Sequence, residues 1–100
     1  AIKNMQDAAK LLRELGTTKL ASLGWCFGGQ QSLNLALSGE KLDATVIYYG
    51  HLTTDNLEKI QWPVLGVFGA EDTSIPTSAV REFEAALNVE GIENDINIYE

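Results

Sequence analysis

The sequence predicts an α/β fold, a three-layer αβα sandwich on a mostly parallel sheet. Three observations carry that expectation. Helical and strand periodicities alternate along the chain in the order α-β-α-β-loop-β-α-β, the pattern of a parallel sheet with helical crossovers. Two strand candidates, LDATVIYY and PVLGVF, are rich in apolar residues, as parallel strands buried on both faces are. The residues with chemistry, Cys26, His51 and Asp72, each follow a different strand, where sites of such sheets collect.

Ile2, Met5, Ala8, Ala9, Leu12 and Leu15 recur at helical spacing, and Gly16 stops the run. After the polar Thr17-Thr18-Lys19 turn, Leu20 to Leu23 reads as a short apolar strand. Phe27 to Leu37 is almost unbroken in apolar and small residues, with Gly39 beyond it, and suits a buried helix. Leu42 to Tyr49 is β-branched and aromatic, a strand closed by Gly50. His51 to Gln61 is a polar connection with one helical turn near Asn56 to Lys59. Pro63 to Phe68 is the next strand, ended by Gly69, and Thr73 to Thr77 form a turn with Pro76 at a helix first-turn position. Val80, Phe83, Ala86 and Leu87 make the stripe of a further helix that stops near Gly91, and Asp95 to Tyr99 alternate as a strand.

Composition limits the function. Of 100 residues, 45% are hydrophobic, ordinary for a globular core, and the net charge is −7. An acidic chain lacks the basic face that nucleic acid or an anionic membrane requires, so neither is an expected partner. No apolar run approaches membrane-spanning length, and no secretory leader pattern is present. One cysteine forms no internal disulfide, which points to a reducing, cytoplasmic setting. The chain opens inside a helical pattern and closes on a strand. It is therefore expected to be a single partial domain, 1–100, truncated at both ends.

The sharpest feature is Gly24-Trp25-Cys26-Phe27-Gly28-Gly29. G-x-C-x-G between a strand and a helix is the nucleophile-elbow pattern with Cys in place of Ser. Such a turn holds the nucleophile in a strained backbone conformation, and side chains two residues to either side would collide, so Gly24 and Gly28 are expected to be required. Gly29 lets the helix approach the sheet. Cys26 then sits at a helix N-terminus, whose dipole and free N–H groups favour a thiolate, and the Phe27 N–H is placed to donate to an oxyanion. A small buried Cys in a glycine-rich turn is the bland alternative. A dinucleotide fingerprint would need Gly where Cys26 stands.

In elbow enzymes the order along the chain is nucleophile, acid, histidine. Asp72, after PVLGVF, occupies the acid's place, with Glu71 the neighbour most easily confused with it. His51 precedes Asp72 and so is expected to line the pocket, with Trp25, rather than to act as the base. The base is expected after DINIY, beyond Glu100.

LGWCFGG at 23–29, YYG at 48–50, PVLGVFGAEDTSIP at 63–76 and the closing INIYE together make the chain resemble the dienelactone hydrolase family, a branch of the α/β-hydrolase fold. The resemblance implies a Cys-His-Asp triad that opens enol-lactones and related esters without a metal or other cofactor. Cys26 would be the nucleophile, Asp72 the acid, and a small-molecule ester or lactone the partner. The histidine and the second oxyanion donor would lie outside these residues, so the piece alone is expected to be inactive and poorly folded. Two other readings stand beside this one. Gly24 to Gln30 also fits G-x-C-x-G-x-Q, which resembles class I glutamine amidotransferases, although GAEDTSIP has no role there. The third is an α/β domain that keeps the elbow without a working triad.

Overall fold

In the computed structural model, which describes residues 1–100, four strands form one parallel sheet in chain order. They are β1 (Ala21–Trp25), β2 (Ala44–Tyr48), β3 (Val64–Gly69) and β4 (Asn94–Tyr99). The helices are α1 (Ile2–Glu14), α2 (Phe27–Leu37) and α3 (Thr77–Val89), with a short 3-10 turn at Leu57–Lys59.

The strand limits differ slightly from the sequence expectation, and the hydrogen bonds explain why. β1 runs on through Gly24 and Trp25, because Trp25 is in register with Tyr48 and the Cys26 N–H donates to the Tyr48 carbonyl at 2.9 Å. β2 is shorter than LDATVIYY. Its entry is fixed by Asp43, whose N–H donates to the Leu20 carbonyl while its carboxylate accepts from the Leu20 N–H, both at 2.7 Å. Its exit is set by Tyr49, which turns to φ +36°.

Strand order decides the layering. Right-handed crossovers that always step in the same direction lay every helix on one face of the sheet. Burial follows that rule: Thr45, Ile47, Val64, Phe68 and Ile96 are buried on the helical side. They join Leu33, Leu35 and Ala36 of α2 and Val80, Phe83 and Leu87 of α3 in one core. The strand neighbours on the other side, Val46, Tyr48, Leu65 and Val67, are only partly covered, and Leu23 and Trp25 are exposed. The parallel sheet and one helical layer are therefore built from these residues, and a second helical layer is not. In the core, the Trp62 Nε1–H donates to the Thr45 hydroxyl at 2.8 Å, which satisfies both buried groups. α1 packs against α2 and buries only Ala9, so Leu12 and Leu15 of its predicted stripe remain exposed.

Candidate active site

Cys26 is the hinge between β1 and α2. Its backbone stands at φ 60°, ψ −127°, a region costly for any residue with a Cβ. Three hydrogen bonds hold it there. Its N–H extends the β1–β2 ladder, and its carbonyl accepts from the Gly29 N–H at 3.0 Å and the Gln30 N–H at 3.2 Å. The backbone is committed on both sides, and the thiol projects into solvent. Phe27 is the first residue of α2, with no helical carbonyl before it, and its N–H takes no part in the bonds that hold the turn.

The glycines act differently from the sequence expectation. A Cβ on Gly24 would lie 2.1 Å from the Gly28 carbonyl oxygen, so position 24 admits only glycine. A Cβ on Gly28 would meet nothing within 4 Å, so the expected two-sided collision is one-sided: the backbone of residue 28 fills the space, and a side chain there is free. Gly29 is tight against the Tyr48 carbonyl, 2.7 Å from a built Cβ, and Gly50 against Gln30 N at 2.4 Å. Gly50, the last letter of YYG, is thus part of the elbow's support, a role that only the β1–β2 pairing reveals. Gly24→Ala is expected to destabilise the full-length protein by about 3 kcal/mol or more, as overpacking against backbone does. Gly28→Ala is expected to be neutral or stabilising by up to about 1 kcal/mol, because alanine favours the helix. Chemical denaturation of the two variants side by side measures the difference.

Asp72 is held at the other wall. Its Oδ1 accepts from the Ser74 N–H at 2.8 Å and the Ile75 N–H at 3.1 Å, a turn that leads into α3. These bonds fix the carboxylate's direction while the second oxygen stays free of protein donors. Glu71 is exposed and lines no part of the cleft.

Cys26, His51 and Asp72 meet in one open cleft of about 360 Å³ at the carboxyl ends of the strands. Phe27, Gln30, Tyr49, Ser74 and Ile75 also line it. His51 lines the space but makes no hydrogen bond with Cys26 or Asp72. A depression of about 400 Å³ at the opposite end of the sheet, between Glu58, Trp62 and Glu93, contains no nucleophile. Trp25, expected in the pocket, is outside it. Strand alternation turns it to the uncovered face, 61% exposed, with its ring edge-on to Tyr48 at 6.4 Å. Tyr49, which no sequence motif assigns to the site, lines the cleft at a positive φ and is 46% exposed. No group of three His, Cys, Asp or Glu residues is placed to hold a metal ion. No helix is long and apolar enough to cross a membrane.

A cysteine on a strained strand-to-helix turn, with an acid after a later strand, places the fold among the α/β hydrolases. The chain belongs to the dienelactone hydrolase family, whose model matches residues 1–100. It is 32% identical over 94 residues to a provisionally named carboxymethylenebutenolidase of Yersinia pestis, covering 83% of this chain and 35% of that protein. A dienelactone hydrolase of Klebsiella pneumoniae, also provisionally named, superposes with a TM-score of 0.87 at 27% identity, covering 99% of this chain and 47% of that one. A dienelactone hydrolase-like promiscuous phosphotriesterase from metagenomic libraries superposes with a TM-score of 0.84 at 26% identity, covering 97% of this chain and 42% of that one. The chain spans about a third of the length of the curated relatives it matches.

Proposed function

We propose that the protein containing this chain hydrolyses carboxylic esters or lactones of small molecules by acyl transfer to Cys26. The observation that supports this most is the strained Cys26 elbow opening into the same cleft as a backbone-oriented Asp72. The Cys26 thiolate attacks the carbonyl carbon, a C–S bond forms, and the carbonyl oxygen becomes an oxyanion that accepts from the Phe27 N–H. The C–O bond to the alkoxy or ring oxygen then breaks, and that oxygen takes the proton that the base removed from the thiol. Water, activated by the same base, cleaves the thioester and restores the thiol.

The base in this reading is a histidine outside these residues, oriented by Asp72, and His51 shapes the cleft. One observation supports a histidine there. β4 ends in register with Gly69, and the Ala70 N–H donates to the Tyr99 carbonyl at 2.7 Å, so chain continuing from Glu100 would leave the sheet beside the Asp72 loop. Residues 1–100 alone are then inactive. A reducing cytoplasmic setting would keep the thiol free, and neither nucleic acid nor a membrane is needed as a partner.

The test uses the full-length protein and p-nitrophenyl acetate. A burst of p-nitrophenol followed by turnover is expected, with a +acetyl adduct on the peptide carrying Cys26 when the reaction is quenched in acid. Neither turnover nor adduct would leave the domain with an idle elbow as the better reading.

A further inference from the structure

We propose that Gly50 is a positioning residue for acyl transfer: pressed against the first turn of α2, it sets the direction in which the Phe27 N–H meets the oxyanion. The proposal deepens the acyl-transfer reading and rests on it. Gly50 stands outside the elbow motif, just past the end of β2. Its contact with the elbow is backbone on backbone. A Cβ on Gly50 would lie 2.4 Å from the Gln30 nitrogen, 2.5 Å from the Gly29 carbonyl carbon and 2.9 Å from the Gly29 Cα. From the other side, a Cβ on Gly29 would lie 3.1 Å from the Gly50 Cα and 2.7 Å from the Tyr48 carbonyl oxygen. Both glycines are buried. Gly50 does not hold a left-handed φ, so packing alone excludes a side chain there.

The atoms in contact are the ones that orient the reactive peptide. The Gly29 and Gln30 N–H groups donate to the Cys26 carbonyl at 3.0 and 3.2 Å. That carbonyl and the Phe27 N–H belong to one planar trans peptide, so they point in opposite directions. Drawing the carbonyl into the turn of α2 therefore turns the N–H outward. A shift of the Gly29–Gln30 backbone would rotate the same peptide and misdirect the donor. Gly50 is itself anchored. Tyr49, held at φ +36°, donates its N–H to the Val67 carbonyl at 2.7 Å. Val67 lies on β3, the strand that leads to the Asp72 loop. The corner after β2 thus ties the oxyanion peptide to the strand that carries the acid.

The experiment compares two reactions of Cys26 in the full-length protein. Acylation by p-nitrophenyl acetate, followed before steady state, develops an oxyanion. Alkylation by iodoacetamide uses the same thiolate to displace iodide and develops none, so only the first needs the Phe27 N–H in place. Gly50→Ala is expected to slow acylation about 100-fold, the scale of one oxyanion donor lost or of a reacting group misplaced by about an ångström. The half-saturating ester concentration and the alkylation rate should each stay within about threefold, because Gly50 lines no part of the cleft. Gly29→Ala intrudes less deeply on the same contact and is expected to slow acylation about tenfold. It decides the matter if Gly50→Ala does not fold. Gly66→Ala is the control for lost stability. Its Cβ would lie 2.7 Å from the Phe68 ring and 2.9 Å from the Ile96 side chain, in the core and away from the cleft. Acylation in that variant is expected within about twofold of wild type. Acylation within about threefold of wild type in the folded elbow variants overturns the positioning role alone. So does a loss that Gly66→Ala or the alkylation rate shares. A wild type that neither releases p-nitrophenol nor gains an acetyl group overturns the acyl-transfer reading and this assignment with it.

Discussion

Cys26→Ala in the full-length protein is expected to lower kcat/KM for p-nitrophenyl acetate by at least about 10⁴-fold, with little change in stability. The first part follows from covalent catalysis. Without a nucleophile the remaining groups act only on water, and about 1.4 kcal/mol of transition-state stabilisation is lost per factor of ten. The second part follows from the geometry. The thiol is exposed and packs against no core, whereas the bonds that hold residue 26 run through its backbone N–H and carbonyl. Alanine carries the same Cβ, so the strain at φ 60° is unchanged and the turn keeps its partners. A midpoint of unfolding within about 0.5 kcal/mol of wild type is expected, as for exposed substitutions generally. Cys26→Ser, with a poorer nucleophile on the same scaffold, is expected to fall between the two. Wild-type rates from a folded Cys26→Ala protein would remove Cys26 from the mechanism.

The elbow could be read in the sequence because its cause is local. A glycine two residues before the nucleophile is required by a clash between positions 24 and 28, four residues apart, and the strand and helix on either side announce themselves by period. Asp72 could be read for a similar reason, since its hydrogen bonds reach only two and three residues ahead. What escaped depends on pairing between distant segments. Trp25 belongs to the ladder only because Tyr48 stands opposite, and the ladder's extra residues put its ring on the wrong face for the pocket. Gly50 and Tyr49 matter because β2 ends against the first turn of α2, a contact that no periodicity records. Strand order puts the crossovers within these residues on one face of the sheet.

Asp72→Asn is expected to reduce kcat by about 10³- to 10⁴-fold while leaving the loop intact, the size of loss that follows amidation of the acid in a nucleophile–histidine–acid triad. The substitution separates structure from charge at this position. Oδ1 of the native side chain accepts two backbone N–H bonds, from Ser74 and Ile75, and an asparagine oxygen can accept the same two. The entry to α3 and the seating of Ile75 in the core are therefore kept, and unfolding should shift by about 1 kcal/mol at most. What disappears is the negative charge that would steady a protonated imidazole, and the amide presents N–H donors where an acceptor is needed. The loss should fall on kcat, with KM changed much less, because the charge acts only after the thiol has given up its proton. Glu71→Gln is the control beside it: that side chain is exposed, lines no part of the cleft, and its neutralisation is expected to leave both constants within about twofold. If Asp72→Asn kept a third or more of the wild-type kcat, the acid of the triad would have to be sought elsewhere. If Glu71→Gln carried the loss instead, the two adjacent carboxylates would have to exchange roles.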